Sequence, residues 1–425
     1  MTEQKIETLA IHAGCEPDPT TNARVTPIYQ TSSYVFDDVD HASRLFNLEE
    51  FGNIYTRIMN PTNAALEGKI AAMEGGIGAL AVASGHAAQM IVFHTLMEPG
   101  CEIVAAKKLY GGSLNQLAHS FKKMGWHTNF VDADDPANVA AAITDKTRAV
   151  FIESLANPGG VVQDIEAIAK VAHEAGIPLV VDNTMASPVL CRPIEHGADI
   201  VVESTTKFLN GHGNSIGGVI IDSGKFDWTA SDKFPEMTQP NASYHGAVLS
   251  DAVGEMAFII ACRVLALRDL GPAMAPMNAF LTLTGMETLA LRMERHCSNA
   301  LALAQWLQGH DKVAWVGYAG LQDSPYNELA KKYLGGQGGA VFTFGLEGGY
   351  DAGVKLVSSV ELFSHLANIG DTRSLIIHPA STTHSQLSEA ELLSAGAGPD
   401  VVRLSVGIEH IDDIIADMDQ ALAQL

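Results

Sequence analysis

Between about Pro61 and Asp222 the chain alternates short Val- and Ile-rich runs with longer amphipathic segments, and this rhythm restricts the fold more than any other feature. The runs are Leu80–Ala83, Cys101–Ala106, Ala149–Ile152, Pro178–Val181, Ile200–Val202 and Gly217–Ile221, each bounded by Gly, Pro, Asp or a small polar residue. Several are apolar at consecutive positions, so both faces of the strand need cover, as in a parallel sheet clad with helices. Segments with helical spacing, such as Ile165–Ala175, lie between them. Alternating β and α segments predict an α/β domain with right-handed crossovers and a mostly parallel central sheet.

The flanks read differently. Residues 1–60 are rich in Thr, Pro and Asp and lack clear periodicity, which predicts an extended N-terminal arm that packs on something else, such as a neighbouring subunit. Lys225–Gly246, with Trp228, Phe234, Pro235, Pro240 and Tyr244, reads as a long ordered loop. Helical spacing returns at Leu249–Leu267 and again over Pro276–Leu307, read as one long helix with Ala, Leu and Met as core. Short strands at Ala340–Phe344, Leu375–His378 and Val402–Val406 then mix with helices, which predicts a smaller α+β domain. The 425 residues therefore divide into an arm (1–60), a large domain (61–265) and a C-terminal domain (266–425).

A formal net charge of −23 repels phosphate backbones and anionic lipid heads, so neither nucleic acid nor membrane is an expected partner. The polar stretch Met1–Ala10 has no apolar signal region, and five scattered cysteines without a C-x-x-C spacing read as reduced thiols. Together these predict a cytoplasmic protein. Sixteen histidines form no ligand cluster, and His378 and His384 are too far apart for one helical turn, so no metal is expected. The glycines near Gly211 and Lys225 miss both dinucleotide-loop and P-loop registers.

Three groups at strand ends carry the chemistry, because open α/β sheets hold ligands there. Ser84-Gly85-His86 opens a helix whose free amides and positive dipole end suit an anion. Asp182 ends the run Pro178–Val181, where a buried carboxylate needs a partner, and a protonated pyridine nitrogen is one. Ser204-Thr205-Thr206-Lys207 follows the run at Ile200, where a Lys is costly unless neutralised, as by imine formation with an aldehyde. The Ser204 and Thr206 hydroxyls would hold a phosphate beside it. Singly, each group has a plainer reading: a capped helix, a turn-capping Asp, a Lys that snorkels to solvent. Together, with Asp182 and Lys207 25 residues apart, they fit one flat ligand with a phosphate tail.

On these residues the chain resembles the fold-type I enzymes of the Cys/Met metabolism family, which depend on pyridoxal 5′-phosphate (PLP), from near Thr8 to the C-terminus. The resemblance implies that Lys207 carries PLP as a Schiff base and that Asp182 pairs with the ring nitrogen. Ser84, Gly85, His86, Ser204 and Thr206 would hold the phosphate, although the family usually has Met at the His86 position. Tyr110 would stack on the ring and move protons. Glu153 and Asn157 would lie near the phenolic oxygen. Arg403 would clamp the substrate α-carboxylate, and Asn368 would contact it as well. Tyr55-Thr56-Arg57 followed by Asn60-Pro61-Thr62 is similar to the family motif whose Tyr and Arg serve the neighbouring subunit's phosphate, Tyr55 also reaching substrate. That implies an active dimer and, by family habit, a homotetramer of two such dimers.

Within the family, Gly112 stands where methionine γ-lyases carry Cys. The segment from Asn368 to His384, with Gly370-Asp371-Thr372-Arg373, and the loop Phe234–Gly246 are similar to those of enzymes that join sulfide to O-acetylhomoserine. The implied reaction is a γ-replacement giving homocysteine and acetate, or methionine from methanethiol, in methionine biosynthesis. The competing expectations are a cystathionine γ-synthase or γ-lyase, an O-succinylhomoserine sulfhydrylase, and, least favoured, a non-catalytic PLP-binding protein. No residue decides acetyl against succinyl, the thiol, or the role of Arg373.

Overall fold

The structure is a computed structural model that describes residues 4–47, 49–157, 160–383, 385, 392 and 396–425. His384, the end of the segment quoted from Asn368, lies outside the described residues.

The strands in chain order are β1 (Gly78–Val82), β2 (Glu102–Ala106), β3 (His127–Val131), β4 (Thr147–Glu153), β5 (Leu155–Ala156), β6 (Val161–Val162), β7 (Leu179–Asp182), β8 (Ile200–Glu203), β9 (Gly218–Asp222), β10 (Val313–Gly317), β11 (Val341–Leu346), β12 (Ser364–His365), β13 (Leu375–Ile377) and β14 (Val401–Ser405). Seven of them form the large sheet in the order β1-β9-β8-β7-β4-β2-β3. Every neighbouring pair is parallel except the two that β9 makes, so β9 alone runs against the others. The apolar runs thus become central strands buried on both faces, and Val150, Val180, Val181 and Ile200 are fully covered. β3 was not visible as an apolar run. It is an edge strand with partly exposed residues, so it carries no such signature.

The second sheet has the order β10-β11-β14-β13-β12 and is antiparallel apart from the β12–β13 pair. Its core includes Phe342, Phe344, Ile376, Leu404 and Met418. The helix Leu289–Gln308 spans both cores: Leu289, Met293 and Cys297 pack into the large one, Ala300, Leu303 and Leu307 into the small one.

Three expectations need revision. The N-terminal segment holds two helices, α1 (Ile6–His12) and α2 (Val39–Phe46). α1 is too short to show a period, and it is anchored by the fully buried Lys69, whose ammonium donates to Ala10 O (2.6 Å) and Ile11 O (3.0 Å) at its C-terminal end. The loop Lys225–Gly246 contains short helical turns at Trp228–Ala230, Pro235–Thr238 and Ala242–Tyr244. The single helix read over Pro276–Leu307 is two, Pro276–Met286 and Leu289–Gln308. At the break Gly285 lies backbone to backbone on Asn210, where a Cβ would stand 2.1 Å from Asn210 O. Arg292 turns back to donate to Gly285 O (2.8 Å). Apolar spacing continues through the break, so periodicity alone could not reveal it.

Two more helices frame the site. α3 (Pro61–Glu74) starts at Asn60, whose side chain accepts from Thr62 N (3.0 Å), with Pro61 in the first turn and Gly75 left-handed (φ 80°) at its end. α4 (Gly85–Leu96) follows β1 and starts at Ser84, whose Oγ accepts from Ala87 N (3.1 Å).

Candidate active site

The C-terminal ends of β1, β4, β7 and β8 converge on one cavity of about 280 Å³. It is lined by Ser84, Gly85, His86, Tyr110, Glu153, Asn157, Asp182, Ser204, Thr206, Lys207, Asn368 and Arg403. Twelve of the fourteen residues expected from sequence therefore meet in one place. Tyr55 and Arg57 do not. Both are exposed in this chain, with the Arg57 guanidinium 5.1 Å from the Tyr55 ring centre.

The anion end is built by close backbone packing. Gly218 of β9 faces Ser84, and a Cβ there would stand 2.2 Å from Ser84 O. A Cβ on Gly85 would stand 2.9 Å from Ser204 Cβ. The absent side chains let the first turn of α4 lie against the loop after β8, and the amides of Gly85 and His86 have no acceptor within their own helix. The plainer reading of Ser84 as a helix cap also holds, since its hydroxyl is engaged by Ala87 N. The Thr206 hydroxyl exchanges hydrogen bonds with the backbone of Gly217 (3.1 and 3.3 Å). Thr184 Oγ1 holds Ser204 N (2.8 Å).

Lys207 lies in the turn after β8. Arg292 fixes that turn from behind, donating to Phe208 O (2.8 Å) and Leu209 O (3.3 Å), and left-handed Gly211 (φ 77°) leaves room for the guanidinium. Burial, then the charge of Arg403, brings the Lys207 amine down to about 8, and its Nζ donates to Asn368 Oδ1. Asn368 O accepts from Arg403 Nη2 (3.3 Å), and Asn157 Oδ1 accepts from Arg403 Nη1 (3.2 Å). Burial lowers Arg403 to about 10.

Asp182 ends β7 with Oδ1 accepting from Thr184 N (3.0 Å) and Oδ2 from Gln89 Nε2 (3.2 Å). Burial raises its pKa against these donors. Glu153 ends β4 and spends both oxygens on backbone amides, Tyr110 N (2.6 Å) and Asn157 N (3.0 Å). Burial and then the charge of Asp182 push it up to about 8. It thereby fixes both Tyr110 and the Asn157 that holds Arg403. The Tyr110 ring stacks on His86, with centres 5.8 Å apart and planes at 26°. Burial lowers the His86 imidazole. A Cβ on Gly112 would stand 2.4 Å from Tyr110 Cε1 and 2.8 Å from His86 Cε1, so glycine there makes room for the stack.

Sequence reasoning assigned no role to Gln89, Thr184 or Thr383, which also line the cavity. Gln89 lies three residues beyond His86, on the same face of α4, and that spacing was its available signal. Thr184 follows Asp182 at the distance of an Asx turn. Among the described residues no cluster could hold a metal, and no helix is long and apolar enough to cross a membrane.

The donor set fits PLP: an amine whose proton is easily lost, a buried carboxylate, a stacking phenol, and a cavity wall at the first turn of α4 where Gly85 packs directly on Ser204. Comparison with known proteins points the same way. The family model of Cys/Met metabolism PLP-dependent enzymes matches residues 7–423. An O-acetyl-L-homoserine sulfhydrylase of Leptospira meyeri is 54% identical, covering 99% of this chain and 97% of its own. A homocysteine synthase of Schizosaccharomyces pombe is 51% identical, covering 99% and 98%. Among solved structures, a Campylobacter jejuni protein described as an O-acetylhomoserine (thiol)-lyase, with a pyridoxyl phosphate group on a lysine, aligns with a TM-score of 0.96 at 39% identity, covering 99% and 100%.

Proposed function

Because the chain belongs to the Cys/Met metabolism PLP-dependent enzymes, we propose that it makes L-homocysteine and acetate from O-acetyl-L-homoserine and sulfide, with Lys207 as its proton-carrying amine. The observation that carries this is the meeting of Lys207, Asp182 and Arg403 around one cavity, in a chain about half identical over nearly full length to O-acetylhomoserine sulfhydrylases and homocysteine synthases.

Bound in this cavity, PLP supplies an electron-accepting ring that stabilises negative charge at the substrate Cα. Lys207 would hold its aldehyde carbon, Asp182 its ring nitrogen, and the amides of Gly85 and His86, with Ser204 and Thr206, its phosphate. Arg403 would take the substrate α-carboxylate with a planar pair of N–H donors. Asn157 and Asn368 hold the guanidinium in place for that contact. Asn368 also holds the Lys207 amine, so the group that anchors the substrate and the group that moves its protons share one support. A base must be neutral, and burial beside Arg403 makes Lys207 neutral far more often than a free lysine. Lys207 then takes the Cα proton and moves protons along the substrate, acetate departs from Cγ, and sulfide adds at Cγ. Tyr110, fixed through its amide by Glu153, covers the ring face and assists those transfers.

Tyr55 and Arg57, exposed here, would complete the phosphate site of a second copy, within a dimer that pairs again into a homotetramer. The enzyme would work in the cytoplasm.

The test is a product assay on purified protein. O-acetylhomoserine with sulfide should give homocysteine and acetate, faster than O-succinylhomoserine does. Release of ammonia and 2-oxobutyrate from cystathionine as the faster reaction would replace this reading with a γ-lyase. Mixing Arg57→Ala with Lys207→Ala subunits should restore activity, because one site of each mixed dimer is intact; no recovery would refute the shared site.

A further inference from the structure

We propose that Gln89 is a positioning residue for the cofactor: its carboxamide holds the Asp182 carboxylate in the orientation in which it meets the ring nitrogen. This rests on the PLP reading of Asp182 given above.

Gln89 is 2% exposed and lies on α4. Its Nε2 spends both protons, one on Ser113 Oγ (2.9 Å) and one on Asp182 Oδ2 (3.2 Å). The other carboxylate oxygen accepts from Thr184 N. One oxygen of Asp182 is thus held by the turn that follows β7 and the other by α4, which fixes the plane of the group. Gln89 Oε1, by contrast, is buried with no hydrogen-bond partner among the described residues. A side chain kept for volume alone would be better as Met or Leu, which leave no oxygen unpaired. Turning the amide over would let the Ser113 hydroxyl donate to Oε1, but it would also set Oε1 against the Asp182 carboxylate oxygen, where two acceptors repel. The amide is therefore retained for its N–H side, and that side faces Asp182.

The placement adds a second argument. α4 begins with the amides proposed for the phosphate and, one turn later, reaches Asp182 through Gln89. Ser113 belongs to the short helix Gly111–Asn115 that follows Tyr110. One buried side chain therefore ties together the phosphate end, the stacking ring and the carboxylate. The charged and titratable groups around Asp182 are His86 from α4, Glu153 at the end of β4, Glu203 at the end of β8, and Lys207 in the turn beyond β8. Two of these are carboxyls that oppose its ionisation, so the neutral donors of Gln89 and Thr184 carry much of the support for the charge.

The experiment uses holoenzyme of wild type, Gln89→Met and Asp182→Asn. Gln89→Met keeps the volume and removes the donor. It should release PLP on dilution about tenfold faster, the size expected for losing one hydrogen bond to a charged group. The visible absorbance of its bound cofactor should titrate at a different pH, and kcat should fall while KM for the amino-acid substrate stays. Wild-type release and titration in Gln89→Met, with both altered in Asp182→Asn, would overturn the proposal and leave Asp182 in its role. Wild-type behaviour in both variants would overturn the reading of Asp182 itself. Should Gln89→Met not fold, Ser113→Ala takes its place: freeing the outer anchor of the amide should shift release and titration in the same direction, and no shift would overturn the proposal.

Discussion

The lowered pKa of Lys207 makes the capture of PLP by apoprotein a direct reporter of the site. Burial and the Arg403 charge bring the amine from the ordinary lysine value of 10.5 to about 8. At pH 7 an amine of pKa about 8 is neutral in about one molecule in ten, against about one in three thousand at 10.5. Only the neutral amine attacks an aldehyde, so capture at pH 7 should run about 300-fold faster than an ordinary lysine allows. The profile should climb with pH, bend near 8 and then level off. Arg403→Gln removes the second of the two causes and should move the bend upward. The assay is stopped-flow absorbance after adding PLP to apoprotein at pH 6–10, with borohydride trapping and peptide mapping to assign the adduct. Lys207→Gln should give no trapped adduct. A wild-type rate that still rises tenfold per pH unit beyond pH 9 would refute the argument, because the amine would then be unshifted.

Three further outcomes follow from the geometry. Arg403→Lys replaces a planar pair of donors by one point charge and should raise KM for O-acetylhomoserine about 10- to 100-fold, with a smaller change in kcat; an unchanged KM would remove Arg403 from substrate binding. Gly112→Cys places a Cβ 2.4 Å from the Tyr110 ring and 2.8 Å from His86, so the stack must open at about 1–3 kcal/mol; chemical denaturation should show the loss, and crystals of the variant should show a displaced imidazole. Glu74 and Glu203 form a buried carboxyl pair behind β7 and β8, and Glu74 is raised to about 7 by burial. A folded pKa above the unfolded one means stability that is complete below about pH 4.5 and is lost as pH rises through about 7. Glu203→Gln should therefore reduce the fall in Tm between pH 5 and pH 8.5 by a few degrees, and a slope equal to wild type would count against the pair.

Local chemistry in the sequence determined the central strands, because a strand buried on both faces must be apolar at consecutive positions, as Val180, Val181 and Ile200 are. It also marked Ser84, Asp182 and Lys207, since charged and capping groups at the ends of such strands need partners wherever the chain goes. Where one element met another was not written locally. The break between Met286 and Leu289 depends on Gly285 touching Asn210, and α1 depends on the buried Lys69 reaching Ala10. The link from Asn368 to both Lys207 and Arg403 joins residues far apart in the chain. Gln89 reads as an ordinary polar helix residue until the fold lays Asp182 against it. Apolar periodicity records which side of a segment faces inward; which buried donor meets which acceptor is fixed only when segments distant in the chain pack together.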